Sequence, residues 1–222
     1  DLPPPVPAVR RARGPPPSLL RRTFPTFPWH RLPDYLTYVR CLSIPVLAGL
    51  FYWEHASAPA LCAVVFGLAS FTDWLDGFLA RRWDVSTSFG AFLDPVADKL
   101  MVSTALILLA GRHGILVALP AAIILAREIA VSALREWMAQ RGLRDVVKVG
   151  MQGKVKTAAT MTALCLMLAA PGPGGEAGGV AAGCLKVGTG LLFLSTVLTV
   201  TSGSVYFRAA APAFADGAGK GD

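Results

Sequence analysis

Six apolar stretches, separated by short polar or turn-forming segments, make up most of the chain after residue 31. Most approach or exceed the roughly 20 residues that an α-helix needs to cross the hydrocarbon core of a bilayer. The predicted spans are Tyr35–Trp53, Pro59–Ala80, Ala91–Ala110, Ile115–Trp137, Val155–Ala170 and Val180–Phe207. The pattern therefore predicts an all-α integral membrane protein with six transmembrane helices.

Composition and charge agree with a membrane protein. Hydrophobic residues make up 54% of the 222 residues and charged residues only 16%, against roughly 25% charged in ordinary soluble domains. The net charge is +7, and the lysines and arginines concentrate before the first span, after the second, and between the fourth and fifth. This distribution places both termini on the positive side, which corresponds to cytoplasm, stroma or matrix. Because these cations lie in separate loops without interleaved aromatic residues, they argue against nucleic-acid binding.

The amino-terminal segment differs from the rest in composition. Residues 1–31 hold nine of the 17 prolines, six arginines and a single acid, a composition that does not support independent folding. The segment partly resembles an organelle transit peptide, and the alternative is a disordered tail held near anionic lipid. We predict a tail over 1–31, a six-helix domain over 32–208 and a flexible tail over 209–222. The predicted location is the inner membrane of a plastid or mitochondrion, with a bacterial plasma membrane as the alternative.

Four aspartates end the second span and begin the third. They form two pairs, Asp73 with Asp76 and Asp94 with Asp98, and the spacing within each pair places both members on one helix face. The connection between the two helices is short, so we expect the four carboxylates to meet. Four negative charges at such short distances repel one another unless cations neutralise them. A site whose ligands are all oxygen atoms suits Mg²⁺ or Mn²⁺. The sequence thus predicts a divalent metal site, with two ions that would bind a diphosphate.

Small and basic residues accompany the aspartates. Gly77, Ala80 and Gly90 allow a ligand or a neighbouring helix to approach the backbone closely. Arg81 can donate hydrogen bonds to phosphate oxygens. The alternative for Arg81 is anchoring at the membrane surface.

The complete spacing reads D-x-x-D-G-x-x-A-R, eight residues, then G-x-x-x-D-x-x-x-D, and it ends at Asp98. It resembles the signature of the CDP-alcohol phosphotransferases, and the resemblance extends roughly from Leu32 to the final span. The stretches "AREIAVSALREWMA" and "GKVKTA" resemble the branch of this family that uses sn-glycerol 3-phosphate as acceptor. The resemblance implies transfer of the phosphatidyl group of CDP-diacylglycerol to that acceptor, with release of CMP, by a homodimer in membrane lipid.

The resemblance also implies roles for individual residues. Asp98 would act as general base as well as metal ligand. The other implied metal ligands are Asp73, Asp76 and Asp94, and the implied CDP-binding residues are Thr37, Gly77, Ala80, Arg81 and Gly90. Asp34 departs from the family, which usually has Asn at this position; a carboxylate only accepts hydrogen bonds, whereas an amide also donates them.

Four cations follow the aspartates along the chain. Arg127 lies in mid-span and Arg135 two helical turns further on, while Lys154 and Lys156 open the fifth span. We predict that they bind the phosphate of the acceptor, since a dianionic substrate needs several converging donors. The alternative is a structural Arg127–Glu128 pair together with positive-inside anchoring.

Three other functions use comparable residues. A cardiolipin or phosphatidylinositol synthase of the same family would share the aspartates and differ in the acceptor pocket. An intramembrane prenyltransferase would need a second, distant aspartate-rich motif, which the sequence lacks. A divalent-cation transporter would use aspartates without needing Gly77, Ala80 or Arg81, and it leaves the mid-span Arg127 unexplained.

Overall fold

The computed structural model describes residues 32–83, 88–142, 151–171 and 179–218. All regular structure in these ranges is α-helical, which confirms the predicted all-α fold. The helices are α1 (Leu32–Phe51), α2 (Ala58–Trp83), α3 (Ser88–His113), α4 (Ile115–Gln140), α5 (Met151–Leu168) and α6 (Gly179–Ala218). Each predicted span overlaps one of them. Residues 1–31, predicted as a tail, lie outside the described residues.

Three of the helices contain segments that are long and apolar enough to cross a membrane. These segments are Ala58–Leu75 in α2, Ile115–Gln140 in α4 and Gly179–Arg208 in α6, and Val155–Leu168 in α5 is a shorter apolar helix. Large apolar side chains cover their outer surfaces, among them Phe71 at 56% exposure and Val180 at 83%. An exterior of this kind suits lipid as the surrounding solvent. The chain is therefore an integral membrane protein.

The helices extend beyond several of the predicted ends. α1 begins at Leu32, with Asp34 in its first turn, where the positive end of the helix dipole favours a carboxylate. α6 continues to Ala218, so residues 209–218, predicted as part of a flexible tail, are helical. The polar and small residues at these ends lower hydropathy without interrupting the helix.

The chain divides into two compact units. Among the described residues, the first unit comprises those up to Pro45 together with Leu68–Met101, and the second comprises Val46–Gly67 together with those from Val102 onward. The first unit thus contains the beginning of α1, the end of α2 and the beginning of α3. Hydrogen bonds and ion pairs of two α1 side chains connect these three helices.

In the second unit α6 packs against α4 and α5. Leu134 and Met138 on α4 form a buried cluster with Ala210 of α6. α6 also approaches α5 closely, because a Cβ atom added at Gly188 of α6 would lie 3.1 Å from the carbonyl oxygen of Ala163. Glycine at this position lets the two backbones come together.

The end of α1 and the α3–α4 connection also lie in the second unit. Arg112 donates from Nη2 to the carbonyl oxygen of Phe51 at 3.0 Å, and its guanidinium lies 3.6 Å above the Phe51 ring. This contact satisfies one of the carbonyl groups that a helix end leaves without an intrahelical partner. Gly114, with φ at 65°, joins α3 to α4, a backbone conformation that glycine adopts without steric cost.

Candidate active site

Three of the four predicted carboxylates are described in the first unit. Asp73 lies on α2, and Asp94 and Asp98 lie one helical turn apart on α3. The side chains of Asp73 and Asp98 are 35% and 34% exposed. They are therefore half-buried groups that a ligand can reach.

Arg40 of α1 joins two of these carboxylates. Its Nη1 atom donates to Oδ1 of Asp98 at 2.6 Å and lies 3.2 Å from Oδ1 of Asp73. The Arg40 side chain is only 1% exposed, so its charge is compensated by ion pairs rather than by solvent. One buried guanidinium thereby brings a carboxylate of α2 and a carboxylate of α3 to the same point.

The third carboxylate is held by a hydroxyl group of the same helix. Thr37, three residues before Arg40, is 1% exposed and donates from its hydroxyl to Oδ1 of Asp94. Since Thr37 and Arg40 share a face of α1, this helix contacts all three aspartates. Gly90, one turn before Asp94, is buried, and Gly77 is half-buried.

The remaining predicted residues of this region are described only in part. The backbones of Asp76, Ala80 and Arg81 belong to α2, and their side chains lie outside the described residues. The same holds for the side chain of Lys154 in α5. Their predicted contacts with metal, CDP or phosphate stay predictions.

The donor set determines which metal ions this region suits. Among the side chains that the structure describes, no three carboxylate, histidine or cysteine groups come close enough to bind one ion. Asp73 and Asp98 nevertheless converge on one nitrogen atom of Arg40. Two carboxylates thus surround the single positive charge of this arginine. Their oxygen atoms are the ligand type that Mg²⁺ and Mn²⁺ prefer. By donor type the aspartates therefore fit a divalent cation.

A second polar cluster lies in the second unit, within the apolar part of α4. Glu128 accepts at Oε1 from Nη1 of Arg127, 3.2 Å away, and from Nζ of Lys156 on α5. Arg127 also donates from Nη2 to the hydroxyl of Ser202 on α6 at 3.1 Å. The structure thus brings together two of the four cations predicted to bind the acceptor phosphate, Arg127 and Lys156.

The side chain of Arg127 packs against Gly203 of α6. A Cβ atom added at Gly203 would lie 3.3 Å from Cγ and 3.4 Å from Nε of Arg127, so the space that glycine leaves is filled by the arginine. The guanidinium carbon lies 5.4 Å from the centre of the Tyr206 ring, within the range of a cation–π interaction. A hydroxyl, a glycine and an aromatic ring therefore position Arg127.

Hydroxyl groups of α6 extend this cluster toward α5, whereas Arg135 lies at an exposed position of α4. Arg135 is exposed, and among the described side chains the hydrogen bonds of the cluster do not include it. Ser195 is fully buried, pairs with Thr160 and donates to the carbonyl oxygen of Lys156 at 3.3 Å. Polar groups of α6 thus meet α5 beside Lys156 and α4 beside Arg127.

Comparison with known proteins identifies the family. Residues 30–201 match the family profile of the CDP-alcohol phosphatidyltransferases, and this region includes the aspartate cluster as well as Arg127, Glu128 and Lys156 of the second cluster. The chain belongs to that family. The match confirms the resemblance carried by the aspartate spacing.

Curated relatives resemble the chain over nearly their whole length. The chain is 48% identical to a protein of Salmonella choleraesuis (strain SC-B67), 49% to one of Pectobacterium atrosepticum and 47% to one of Escherichia coli K12. Each alignment covers 180 residues, which is 81% of this chain and 94% of the relative. All three relatives are named CDP-diacylglycerol–glycerol-3-phosphate 3-phosphatidyltransferase.

The structure places at these clusters three residues for which the sequence pattern predicts no functional role. They are Arg40, Ser202 and Glu128, and for Glu128 the sequence predicts only a structural pair with Arg127. A partial signal for Ser202 exists in the sequence, because Ser195, Thr199 and Ser202 recur at helical spacing in a segment that also holds the apolar Val197, Leu198 and Val200. Such a row indicates a polar face directed toward other polar groups.

Proposed function

We propose that this chain transfers the phosphatidyl group of CDP-diacylglycerol to sn-glycerol 3-phosphate, giving phosphatidylglycerophosphate and CMP. The observation that carries the proposal is 48% identity over 94% of the length of a relative named for this activity. The two polar clusters support it, since one offers carboxylates and the other converging cations.

In the proposed reaction a hydroxyl oxygen of the acceptor attacks the β-phosphorus of CDP-diacylglycerol. A new phosphorus–oxygen bond forms, the bond between the β-phosphorus and the oxygen of CMP breaks, and the hydroxyl proton passes to Asp98. A general base must come within hydrogen-bond reach of the proton it accepts. Arg40, which donates to Oδ1 of Asp98, fixes the carboxylate for this step. Thr37 holds Asp94 in the same manner.

The proposal includes dependence on a divalent metal, Mg²⁺ or Mn²⁺, with two ions. Asp73, Asp76, Asp94 and Asp98 would hold them. When bound, such ions neutralise a diphosphate and stabilise the departing phosphate oxygen. The residues proposed to line the CDP pocket are Thr37, Gly77, Ala80, Arg81 and Gly90.

For the acceptor, we propose that Arg127, Lys156, Arg135 and Lys154 bind the phosphate group. Support comes from Arg127 and Lys156, which converge on one carboxylate oxygen inside an apolar helix bundle. Intramembrane charges of this kind are costly and commonly functional. A phosphate between them would receive charge-assisted hydrogen bonds.

The membrane arrangement is proposed as six spans, with both termini on the positive side, in a homodimer surrounded by lipid. The helix lengths and the distribution of lysine and arginine support it. The inner membrane of an organelle, expected from the tail, stays a prediction. The bacterial sources of the relatives favour a bacterial plasma membrane instead.

The test uses the purified full chain in detergent. CDP-diacylglycerol is offered with glycerol 3-phosphate, inositol, serine or phosphatidylglycerol in separate reactions, with and without EDTA, and CMP and lipid products are identified. We expect product with glycerol 3-phosphate alone, lost with EDTA and lost in Asp98→Asn, while the control Glu54→Gln, in an exposed loop, stays active. Product with another acceptor would overturn the substrate assignment, and absence of CMP in every reaction would overturn the transferase.

Metal binding needs a measurement that does not depend on activity. Titration of the full chain with Mn²⁺, followed by electron paramagnetic resonance, gives the number of bound ions. We expect two ions in the wild type and fewer in Asp98→Asn. An unchanged titration in Asp98→Asn would remove this residue from the metal ligands while leaving its role as base open to the activity assay.

A further inference from the structure

Glu128 lies where the two buried cations of the second cluster meet. A single oxygen atom, Oε1, accepts from Nη1 of Arg127 at 3.2 Å and from Nζ of Lys156. Arg127 belongs to α4 and Lys156 to α5, so one carboxylate connects cations of two helices. Because both nitrogen atoms are bonded to the same oxygen, they lie within about 6 Å of each other, twice the length of a hydrogen bond.

The burial of the three side chains shows why the carboxylate is needed. Arg127 and Lys156 have side chains 12% and 9% exposed, whereas that of Glu128 is 31% exposed. Two cations this close together and this far from solvent repel each other and lack hydration. The charge of Glu128 offsets that repulsion and permits the short spacing.

The two cations nevertheless keep donors for another anion. A guanidinium has five N–H donors and an ammonium has three. Arg127 uses Nη1 toward Glu128 and Nη2 toward Ser202, and within the described part of the chain its buried Nε atom has no acceptor. Lys156 donates to the same oxygen of Glu128. A single phosphate group can therefore accept from both side chains while Glu128 still holds them.

We infer that Glu128 is a positioning residue that holds Arg127 and Lys156 at the spacing required by the phosphate group of the acceptor. The inference rests on the proposed function, since it concerns the same substrate. Glu128 carries negative charge and does not itself bind the phosphate. Glu128 contributes by fixing the distance between the two donors. A displacement of such donors by about 1 Å strongly weakens productive binding.

Two other roles for Glu128 make different predictions. A purely structural ion pair predicts a less stable protein whose folded fraction binds the acceptor as the wild type does. A carboxylate that competes with phosphate for the cations predicts tighter acceptor binding once it is removed. Of the three roles, only positioning predicts that removal of Glu128 weakens binding of the acceptor and leaves binding of CDP-diacylglycerol unchanged.

The kinetic test compares Glu128→Ala and Glu128→Gln with Glu136→Ala, which changes an exposed glutamate of the same helix. We expect Glu128→Ala to raise the KM for glycerol 3-phosphate about tenfold or more, with the KM for CDP-diacylglycerol within about twofold of the wild type. Glu128→Gln keeps the length and one acceptor oxygen and should raise the first KM less. Glu136→Ala should change neither.

A binding measurement accompanies the kinetics. Glycerol 3-phosphate and inorganic phosphate are each added to the full chain in detergent, and the shift in Tm is measured. We expect a shift in the wild type and in Glu136→Ala, and its loss in Glu128→Ala. Where Glu128→Ala does not fold, Glu128→Gln provides the comparison through both readouts.

The outcomes separate this inference from the proposed function. If the wild type makes no phosphatidyl product with glycerol 3-phosphate, the proposed function fails. If the wild type is active and the Glu128 variants show an unchanged or a lower KM for the acceptor, only the positioning role fails. A selective rise of that KM supports both.

Discussion

Nη1 of Arg40 lies 2.6 Å from Oδ1 of Asp98, and the same nitrogen lies 3.2 Å from Oδ1 of Asp73. A side chain of α1 therefore fixes the residue proposed as the base and links it to a proposed metal ligand on another helix. Because Arg40 is almost fully buried, solvent cannot take the place of either carboxylate as a partner of its guanidinium group. Arg40 is thus an internal cation of the aspartate cluster.

The first prediction concerns this internal cation. Arg40→Met leaves two carboxylates close together without their shared partner, and we expect the free energy of unfolding to fall by about 2 kcal/mol, less than for a fully buried pair because the carboxylates are partly exposed. We expect kcat to fall about 100-fold, because a base that is no longer oriented loses its contribution to the transition state. Thermal unfolding in detergent and CMP release measure the two effects.

Its controls are a conservative variant and a distant arginine. Arg40→Lys keeps the charge but offers a single point donor in place of a planar fork, so we expect most of the stability and only part of the activity. Arg208→Met removes an exposed arginine of α6 and should leave both quantities close to wild type. Equal kcat values for Arg40→Met and Arg208→Met would contradict the positioning of Asp98 by Arg40.

The second prediction concerns the hydroxyl that holds Asp94. Thr37→Val keeps the shape of the buried side chain and removes the donor to Oδ1 of Asp94. We expect a loss of about 1 kcal/mol in stability and a fall of about tenfold in kcat/KM for CDP-diacylglycerol, because Asp94 is freed to rotate. Thr162→Val, at an exposed site on α5 whose hydroxyl donates to the carbonyl oxygen of Ala158 in the same helix, is the matched control. Identical kcat/KM values for both variants would remove Thr37 from the site.

Helices could be predicted from the sequence because their signals are local. Hydropathy, glycine and proline act over a few residues, and all six apolar stretches are helical. Helix ends were less well predicted, as at Ala218, because polar or small residues continue a helix without raising its hydropathy. The spacing of the aspartates also predicted which helices carry the carboxylates.

The partners of the site residues could not be predicted in the same manner. Arg40 and Asp98 are 58 positions apart, and Glu128 and Lys156 are 28 apart, so their pairing depends on how helices pack rather than on any periodicity along the chain. Hydropathy predicts that an arginine lies within a helix. It gives no indication of which carboxylate compensates the charge of that arginine. Packing also decides which of the acceptor-side cations converge, and it leaves Arg135 exposed while burying Lys156.

The third prediction concerns the close contact of α5 and α6. A Cβ atom at Gly188 would lie 2.6 Å from Cγ of Met167 and 3.1 Å from the backbone oxygen of Ala163. Methionine can shift, but a helix backbone cannot move without disturbing its neighbours, so we expect Gly188→Ala to lower stability by about 1–3 kcal/mol. Gly190→Ala should instead raise stability by up to about 1 kcal/mol, because a Cβ atom added there meets no atom of another described helix within 4 Å. A Tm for Gly188→Ala at or above that of Gly190→Ala would contradict the packing.

The fourth prediction concerns the packing of Arg127 against Gly203 of α6. Gly203→Ala places a Cβ atom 3.3 Å from Cγ of Arg127, which displaces the side chain by a few tenths of an ångström and weakens its bond to Ser202. We expect the KM for glycerol 3-phosphate to rise about threefold, and about tenfold in the bulkier Gly203→Val, with the KM for CDP-diacylglycerol unchanged. Gly190→Ala on the same helix controls for the added methyl group. Because crowding increases from alanine to valine, a rise that follows this order indicates displacement of Arg127, whereas equal KM values in all variants would show that the position of Arg127 does not matter for the acceptor.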